Sequence, residues 1–236
     1  MVEQDDLSSQ LLENEHFYQM SIGLIIFDFD GTLGDTRRNI VKTMQMTIEE
    51  LHLPNRKEEE CASTIGLPLA VCFETLFPDL QKEEVQRCAD TYRRIFAENL
   101  QSMTPQPFPG VVQTMKVLKR QGYTLTIASS RSHVSLVELT QNMGIADCIS
   151  YLIGADDVEK AKPDPEPVLH TLKVMGFEAN QALVVGVMAV DFLMGVRAGA
   201  MTCGVTWGNG SQEELEKARA TYIIHQIEEI LEIVKN

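Results

Sequence analysis

The sequence predicts an α/β fold, in which a doubly wound parallel sheet carries a helical-bundle cap domain inserted after its first strand. Short apolar runs of the kind found in buried parallel strands alternate with helical patterns along most of the chain. One long stretch, residues 36–104, instead shows helical periodicity and no strand-like run. The predicted organisation is a polar N-terminal extension (1–20), a core domain (21–35 and 105–236) and a cap domain (36–104).

Six apolar runs predict the strands of the core. They are Ile22–Phe27, Tyr123–Ala128, Ile149–Ile153, Ala182–Val185, Thr202–Thr206 and Tyr222–Ile224. Helical patterns lie between them, among them Val111–Arg120 and Ser132–Met143, and Gly144 stands where a helix would end. Because parallel strands need crossover connections, we expect helices on both faces of the sheet.

The inserted stretch contains three apolar stripes at helical spacing, which predict a small bundle. The stripes are Ile40, Val41, Met44, Ile48 and Leu51; Val71, Phe73, Leu76 and Phe77; and Val85, Cys88, Tyr92, Ile95 and Phe96. The proline-rich segment Thr104–Gly110 predicts a stiff linker that returns the chain to the core. The first 20 residues are polar, and a helical turn is expected at Leu11–Tyr18.

The composition limits the partners and the compartment. The 236 residues include 34 acidic and 20 basic side chains, a formal net charge of −14, which argues against nucleic acid or an anionic membrane as a partner. Five scattered cysteines without a CxxC pair predict free thiols. The acidic first 20 residues do not resemble a secretory signal, and the longest apolar run, Ala182–Val190, is far shorter than the about 20 residues that span a bilayer. We therefore expect a cytoplasmic protein, either a monomer or a homodimer.

Two aspartates directly follow the first predicted strand. Asp28 and Asp30 are two residues apart, so in an extended chain their side chains share a face. Carboxylates after an apolar strand are costly to bury unless a cation compensates them. Ligands of open parallel sheets bind beyond the carboxyl ends of the strands. A ligand or metal site at this position is one interpretation, and a solvated acidic turn is the other.

Four segments in order resemble the motifs of the haloacid dehalogenase superfamily, the phosphohydrolases with an aspartate nucleophile. Asp28–Leu33 resembles the first motif, and Ser129, after the second predicted strand, resembles the serine or threonine of the second. Lys162, in the run KPDP, is similar to the third-motif lysine, and Val184–Asp191 resembles the fourth motif with one departure. The resemblance covers about residues 21–228 and implies a Rossmann-like core.

The resemblance implies a role for each matched side chain. Asp28 is expected to attack phosphorus and form an aspartyl-phosphate, and Asp30 to protonate the leaving oxygen and then activate water. Lys162 is expected to balance the charge of Asp28 and of the phosphoryl group. Further contacts to the phosphate are expected from Ser129 and Ser130 as well as Lys162, and a contact to the rest of the substrate from Arg131.

The resemblance also implies a Mg²⁺ cofactor, with Asp28, Asp30 and Asp191 as its protein ligands. The family pattern Gly-Asp-x-x-x-Asp here reads GVMAVD, so that Val187 replaces an aspartate that is normally a direct ligand. Valine has no donor atom for a hard cation. The sequence therefore predicts that Mg²⁺ binds weakly.

The predicted function is hydrolysis of phosphate monoesters of small phosphorylated metabolites. Segments of the cap and linker, Ile65–Leu69 and Phe108–Gly110, resemble phosphoglycolate-phosphatase-like members. One alternative is a catalytically weakened or inactive relative that binds a phosphorylated ligand or partner, which Val187 favours. A lesser alternative is a sugar-phosphate mutase, but Ile40 stands where the resembling mutases carry a histidine.

Overall fold

The computed structural model describes residues 21–100, 102–208, 215 and 220–235; the predicted extension 1–20, with its helical turn, lies outside them. The strands are β1 (Leu24–Phe27), β2 (Gly34–Asp35), β3 (Gln106–Pro107), β4 (Thr124–Ala128), β5 (Tyr151–Ile153), β6 (Ala182–Gly186), β7 (Met201–Val205) and β8 (Tyr222–Ile224). The helices are α1 (Arg37–Glu50), α2 (Glu58–Ala62), α3 (Leu69–Leu76), α4 (Lys82–Asn99), α5 (Val111–Arg120), α6 (His133–Asn142), α7 (Glu166–Met175), α8 (Ala189–Arg197) and α9 (Ile230–Ile233). Short 3₁₀ helices cover Ala146–Cys148, Ala179–Gln181 and Ile227–Glu229.

The main sheet has six parallel strands in the order β5-β4-β1-β6-β7-β8. Strands β4 and β5 lie on one side of β1, and strands β6, β7 and β8 lie on the other. The strand order therefore reverses between β1 and β6. Phe27 lies opposite Ile127 on β4 and Val185 on β6. The carboxyl ends of the three central strands are thus level, and the loops after them meet at one edge.

Helices cover both faces of this sheet, which confirms the predicted fold class. Side chains alternate along β1, so that Ile25 and Phe27 join one apolar cluster while Leu24 and Ile26 join another. The first cluster includes residues of α5 and α6, namely Met115, Leu118, Leu136 and Leu139. The second includes residues of α7 and α8, namely Val168, Leu172 and Met194.

The helices α1–α4, called the cap from here on, lie between β1 and β4 in the sequence and pack on one another. Tyr92 is central to their core, with an edge contact to Phe73 and a stacked contact to Phe96. One residue of the predicted stripes differs, because Val71 is 37% exposed while Phe73 is fully buried. Residues two positions apart lie about 200° apart around a helix, so Val71 and Phe73 cannot share a face.

The two connections between core and cap are joined by hydrogen bonds. The outgoing strand β2 pairs antiparallel with the returning strand β3, with Gly34 opposite Pro107. The backbone N–H of Phe108 also donates to the carbonyl of Leu33. The segment predicted to be a stiff linker, Thr104–Gly110, is therefore hydrogen-bonded to the outgoing connection.

The structure describes the state of the cysteines and the length of the apolar helices. All five cysteines are free and buried, as predicted for this chain. In the described ranges, no helix has both the length and the apolar composition to cross a bilayer.

Candidate active site

The candidate site lies where the loops after β1, β4 and β6 meet, joined by the loop that precedes α7. Asp28 and Asp30 follow β1 and Ser129 follows β4, while Asp191 lies in the first turn of α8 and Lys162 in the loop between β5 and α7. Each of the five is more than nine-tenths buried. Residues that are far apart in the sequence are thus collected at the point where the strand order reverses, which is where open α/β sheets bind ligands.

A tight turn sets the direction of the two aspartates. The backbone N–H groups of Leu33 and Gly34 both donate to the carbonyl of Phe29. Gly31, which lies within this turn, has a φ of +80°. This left-handed conformation favours glycine. The turn also brings Thr32 back toward the strand end, where its hydroxyl donates to Asp28 Oδ2 at 3.1 Å.

Lys162 joins two carboxylates. Its Nζ lies 2.7 Å from Oδ1 of Asp28 and 2.7 Å from Oδ1 of Asp191. Burial alone would lower the pKa of Lys162, but attraction to Asp191 and Asp28 outweighs burial and holds this pKa above its usual value. Lys162 is therefore a permanent cation at the centre of the site.

Asp28 has a perturbed acidity. Burial, followed by repulsion from Asp191, raises the pKa of Asp28 from 3.8 to about 7, against the opposing attraction of Lys162. Without a further cation, Asp28 is therefore partly protonated at neutral pH. A bound cation would favour its ionised form.

Asp30 is paired with Arg131. The Nε of Arg131 lies 2.8 Å from both carboxylate oxygens, and the two side chains are only 10% and 11% exposed. The guanidinium lies 4.9 Å from the ring centroid of Phe96 on cap helix α4, and its Nη1 donates to Ser135. In this conformation Arg131, which the sequence predicts to contact substrate, contacts the predicted general acid.

The two serines point in different directions. The hydroxyl oxygen of Ser129 accepts the backbone N–H of Arg131 at 3.3 Å, so that its own hydrogen can be donated to a ligand. Ser130 instead donates to the carbonyl of Gly66, in the cap loop, at 2.7 Å. Met188 lies against the same glycine, which has a φ of +100°. The cap loop therefore closes over the edge of the site.

The fourth-motif segment does not fit a complete metal site. Val187 is 1% exposed and belongs to the apolar core, and its side chain lies against Gly208. Asp191 uses Oδ1 for Lys162 and Oδ2 for the backbone N–H groups of Val187 and Met188, at 3.1 and 2.9 Å. No cluster of three or more His, Cys, Asp or Glu side chains suited to a metal occurs among the described residues. The predicted ligand Asp191 thus accepts three hydrogen bonds, whereas Asp28 accepts two, from Thr32 and Lys162.

Sequence reasoning did not single out two contacts of this site. The first is the bond from Thr32 to Asp28, although Thr32 lies within the first motif. The second is the contact of Phe96 with Arg131, for which helical periodicity gave no signal beyond core packing. The Nε1 of Trp207 also donates to the carbonyl of Thr32 at 3.1 Å and so secures the same turn.

Comparison with known proteins places this geometry in a family. The family model for haloacid dehalogenase-like hydrolases matches residues 25–205. A protein of Dickeya dadantii named "Probable phosphatase IndB" is 34% identical over 210 residues, which cover 88% of this chain and 91% of the relative. A phosphoglycolate phosphatase of Aquifex aeolicus is 30% identical over 185 residues, 78% of this chain and 85% of that protein.

A solved structure shows the same fold. The structure of a hydrolase of the haloacid dehalogenase-like family from Streptococcus pneumoniae superimposes with a TM-score of 0.79, at 25% identity, over 90% of this chain and 98% of that one. The fold, the ordered motifs and the match to the family model agree. The chain therefore belongs to the haloacid dehalogenase-like hydrolase family.

Proposed function

We propose that this protein is a phosphatase that hydrolyses phosphate monoesters of small metabolites through an aspartyl-phosphate at Asp28. The observation that carries the proposal is the convergence of Asp28, Ser129 and Lys162 at the carboxyl ends of the central strands. This arrangement supplies a nucleophile, a hydrogen-bond donor and a cation at one edge of the sheet. Those are the groups that phosphoryl transfer requires, because the reaction depends on positioning and on charge compensation.

In the first step, an oxygen of Asp28 attacks phosphorus as the bond from phosphorus to the ester oxygen breaks. Asp30 gives a proton to the leaving oxygen, so that a neutral alcohol departs. Thr32 and Lys162 each donate to a different oxygen of Asp28, which fixes the orientation of the carboxylate. Ser129 donates to the phosphoryl oxygens, and Lys162 offsets their charge.

In the second step, water attacks the phosphorus of the aspartyl-phosphate. Asp30, now ionised, takes a proton from that water, and the bond between phosphorus and Asp28 breaks. Inorganic phosphate leaves, Asp28 is a free carboxylate again, and Asp30 is protonated for the next cycle. The closed contact of Ser130 with Gly66 keeps bulk water away from the intermediate.

Enzymes of this family generally use a divalent metal ion. We propose Mg²⁺ as the ion for this chain, and we expect it to bind weakly. A bound Mg²⁺ supplies charge compensation for the phosphoryl oxygens. The groups that would hold it are Asp28 and the Asp30 carbonyl, because Val187 has no donor atom and Asp191 already accepts three hydrogen bonds.

The substrate proposed is a small phosphorylated metabolite, of the kind a phosphoglycolate phosphatase takes. The relative from Aquifex aeolicus that carries that name supports this class. The cap is consistent with this class, because the loop around Gly66 and the helix carrying Phe96 both contact residues at the edge of the site.

A second candidate function is a weakened or inactive relative that binds a phosphorylated ligand or partner without rapid turnover. The burial of Val187 at the expected metal-ligand position favours it. Ile40 disfavours the mutase alternative, because the residue at this position is apolar, 6% exposed and packed in the cap.

Turnover of 4-nitrophenyl phosphate and of 2-phosphoglycolate, in excess Mg²⁺ and in chelator, tests these proposals. The Asp28→Asn variant should retain less than a few per cent of the parent rate, whereas Asp147→Asn, an exposed control, should match the parent. Phosphate binding without turnover would favour the second candidate. An Asp28→Asn protein that remains active would overturn the assignment of the nucleophile.

A further inference from the structure

We propose that Arg131 is a positioning residue for Asp30: it holds the carboxylate where the leaving oxygen must be protonated, and Phe96 of the cap holds Arg131. The inference rests on the proposed function, because Asp30 matters as an acid only if a phosphate ester is cleaved beside it. It adds to that function a side chain, Arg131, through which the position of the cap affects the orientation of Asp30.

The contact of Arg131 with Asp30 fixes the orientation of the carboxylate. The Nε of Arg131 is 2.8 Å from each oxygen of Asp30, so the carboxylate is centred on that nitrogen. Both side chains are about nine-tenths buried. Charge-assisted hydrogen bonds are short and strong when water is excluded, so this one restricts rotation of the Asp30 side chain.

Arg131 is in turn held by both parts of the molecule. On the core side, its backbone N–H donates to the hydroxyl of Ser129, and its Nη1 donates to Ser135 on α6 at 3.2 Å. On the cap side, the ring of Phe96 lies under the guanidinium, with its centroid 4.9 Å from Cζ. A cation near an aromatic face is attracted by the ring, and more strongly so when it is desolvated. Moving α4 away would remove this support.

The remaining nitrogen of the guanidinium has an unused donor capacity. Nη2 of Arg131 is buried and has no hydrogen-bond partner among the described residues. Buried N–H groups in native proteins normally find an acceptor. An acceptor on the alcohol part of the substrate would fill this role and tie substrate binding to the guanidinium that orients Asp30.

Leaving-group dependence separates a positioning role from a structural one. Phenyl phosphate and 4-nitrophenyl phosphate are similar in size, but phenolate leaves poorly without a proton, whereas 4-nitrophenolate leaves readily. Loss of the acid should therefore slow the phenyl ester more. We expect Arg131→Met to lower kcat/KM for phenyl phosphate roughly tenfold more than for 4-nitrophenyl phosphate, the same pattern as Asp30→Asn.

Three variants complete the experiment. Arg131→Lys keeps a cation near Asp30 and should restore part of the selective loss. Phe96→Leu keeps an apolar side chain but removes the ring face, and it should show the same pattern more weakly. Arg94→Met removes an exposed arginine of the same helix, paired with Glu50 and Glu98, and should leave the ratio of the two rates unchanged.

The outcomes are distinguishable. If the parent hydrolyses both esters and Arg131→Met slows them equally, Arg131 is only structural and the inference is overturned. If the parent hydrolyses neither, the proposed function fails and this inference fails with it. Should Arg131→Met not fold, Arg131→Lys and Phe96→Leu decide the matter, since an unchanged ratio in both would overturn the inference.

Discussion

Asp28 and Asp191 share one ammonium group. The Nζ of Lys162 lies 2.7 Å from an oxygen of each, and all three side chains are nearly excluded from solvent. One cation thus serves two carboxylates, and a third carboxylate, Asp30, is balanced separately by Arg131. A buried charge without an opposite charge beside it is costly. The protonation state of Asp28, and the number of cations near the three carboxyl groups, should therefore affect stability as well as activity.

The first prediction concerns the pH dependence of stability. Because the pKa of Asp28 is raised from 3.8 to about 7 on folding, its favourable contribution is complete below 3.8 and is lost as the pH rises through about 7. Asp28→Asn escapes this loss, so in chelator at pH 8 it should be more stable than the parent by up to about 4 kcal/mol, a difference that shrinks toward pH 4. Urea unfolding at several pH values measures it, and a variant less stable than the parent at pH 8 would contradict the expected sign.

The second prediction concerns Lys162. Lys162→Met leaves two buried carboxylates without their common cation, so the free energy of unfolding at pH 8 should fall by about 3–5 kcal/mol. Lys235→Met is the matched control, because Lys235 is exposed and pairs with Glu232, an exposed residue three positions earlier. That substitution should change stability by less than about 0.5 kcal/mol. Equal effects of the two variants would show that the buried pairs carry no net stabilisation.

How far the sequence predicts this site depends on which contacts are local. The motif order located Asp28, Ser129 and Lys162 because each ends a recognisable strand or lies in a short signature, and parallel strands bring such ends together. The contact of Arg131 with Phe96 was not predictable, since Phe96 lies on α4, whose distance from the core depends on how the cap closes. The same holds for the contact of Ser130 with the cap loop.

The boundaries of the elements show a similar division. Apolar runs located every strand of the main sheet to within about two residues, because burial on both faces leaves a continuous signal. The predicted strand at Ile149–Ile153 begins only at Tyr151, because a 3₁₀ turn over Ala146–Cys148 precedes it. The pairing of β2 with β3 was not predicted, since two-residue strands carry no periodic pattern.

The third prediction concerns Val187. Val187→Asp adds a carboxylate at the position where the family pattern carries a metal ligand, so it should strengthen Mg²⁺ binding by at least ~10–100-fold and raise turnover. In chelator the same variant should melt at a lower temperature than the parent, because the new charge replaces a buried apolar side chain, and excess Mg²⁺ should restore the melting temperature.

Val187→Asn is the control for this prediction, because it has nearly the size of aspartate without the charge. It should share the loss of apolar packing but not the gain in affinity measured by calorimetric titration with Mg²⁺. Unchanged affinity and turnover in Val187→Asp would mean that this position does not face the metal.

The fourth prediction concerns motion of the cap. We expect α1–α4 to move as a unit about the paired connections β2 and β3, because these are the crossings between the two parts. With excess Mg²⁺ present throughout, addition of trifluoroberyllate, a mimic of the aspartyl-phosphate, should change the X-ray scattering curve of the parent. The curve of Asp28→Asn, which cannot bind the mimic at the nucleophile, should stay the same. Superimposable curves for the parent would argue against a mobile cap.

The hydrogen bond from Trp207 to Thr32 has a practical consequence. The sequence contains a single tryptophan, so all indole fluorescence of the protein comes from this position. The indole is attached to the turn that carries both aspartates, and its ring lies beside Phe108, where the chain returns from the cap. An ion or phosphate that rearranges that turn therefore alters the surroundings of the only indole, and the unmodified protein already contains an optical reporter for its own candidate active site.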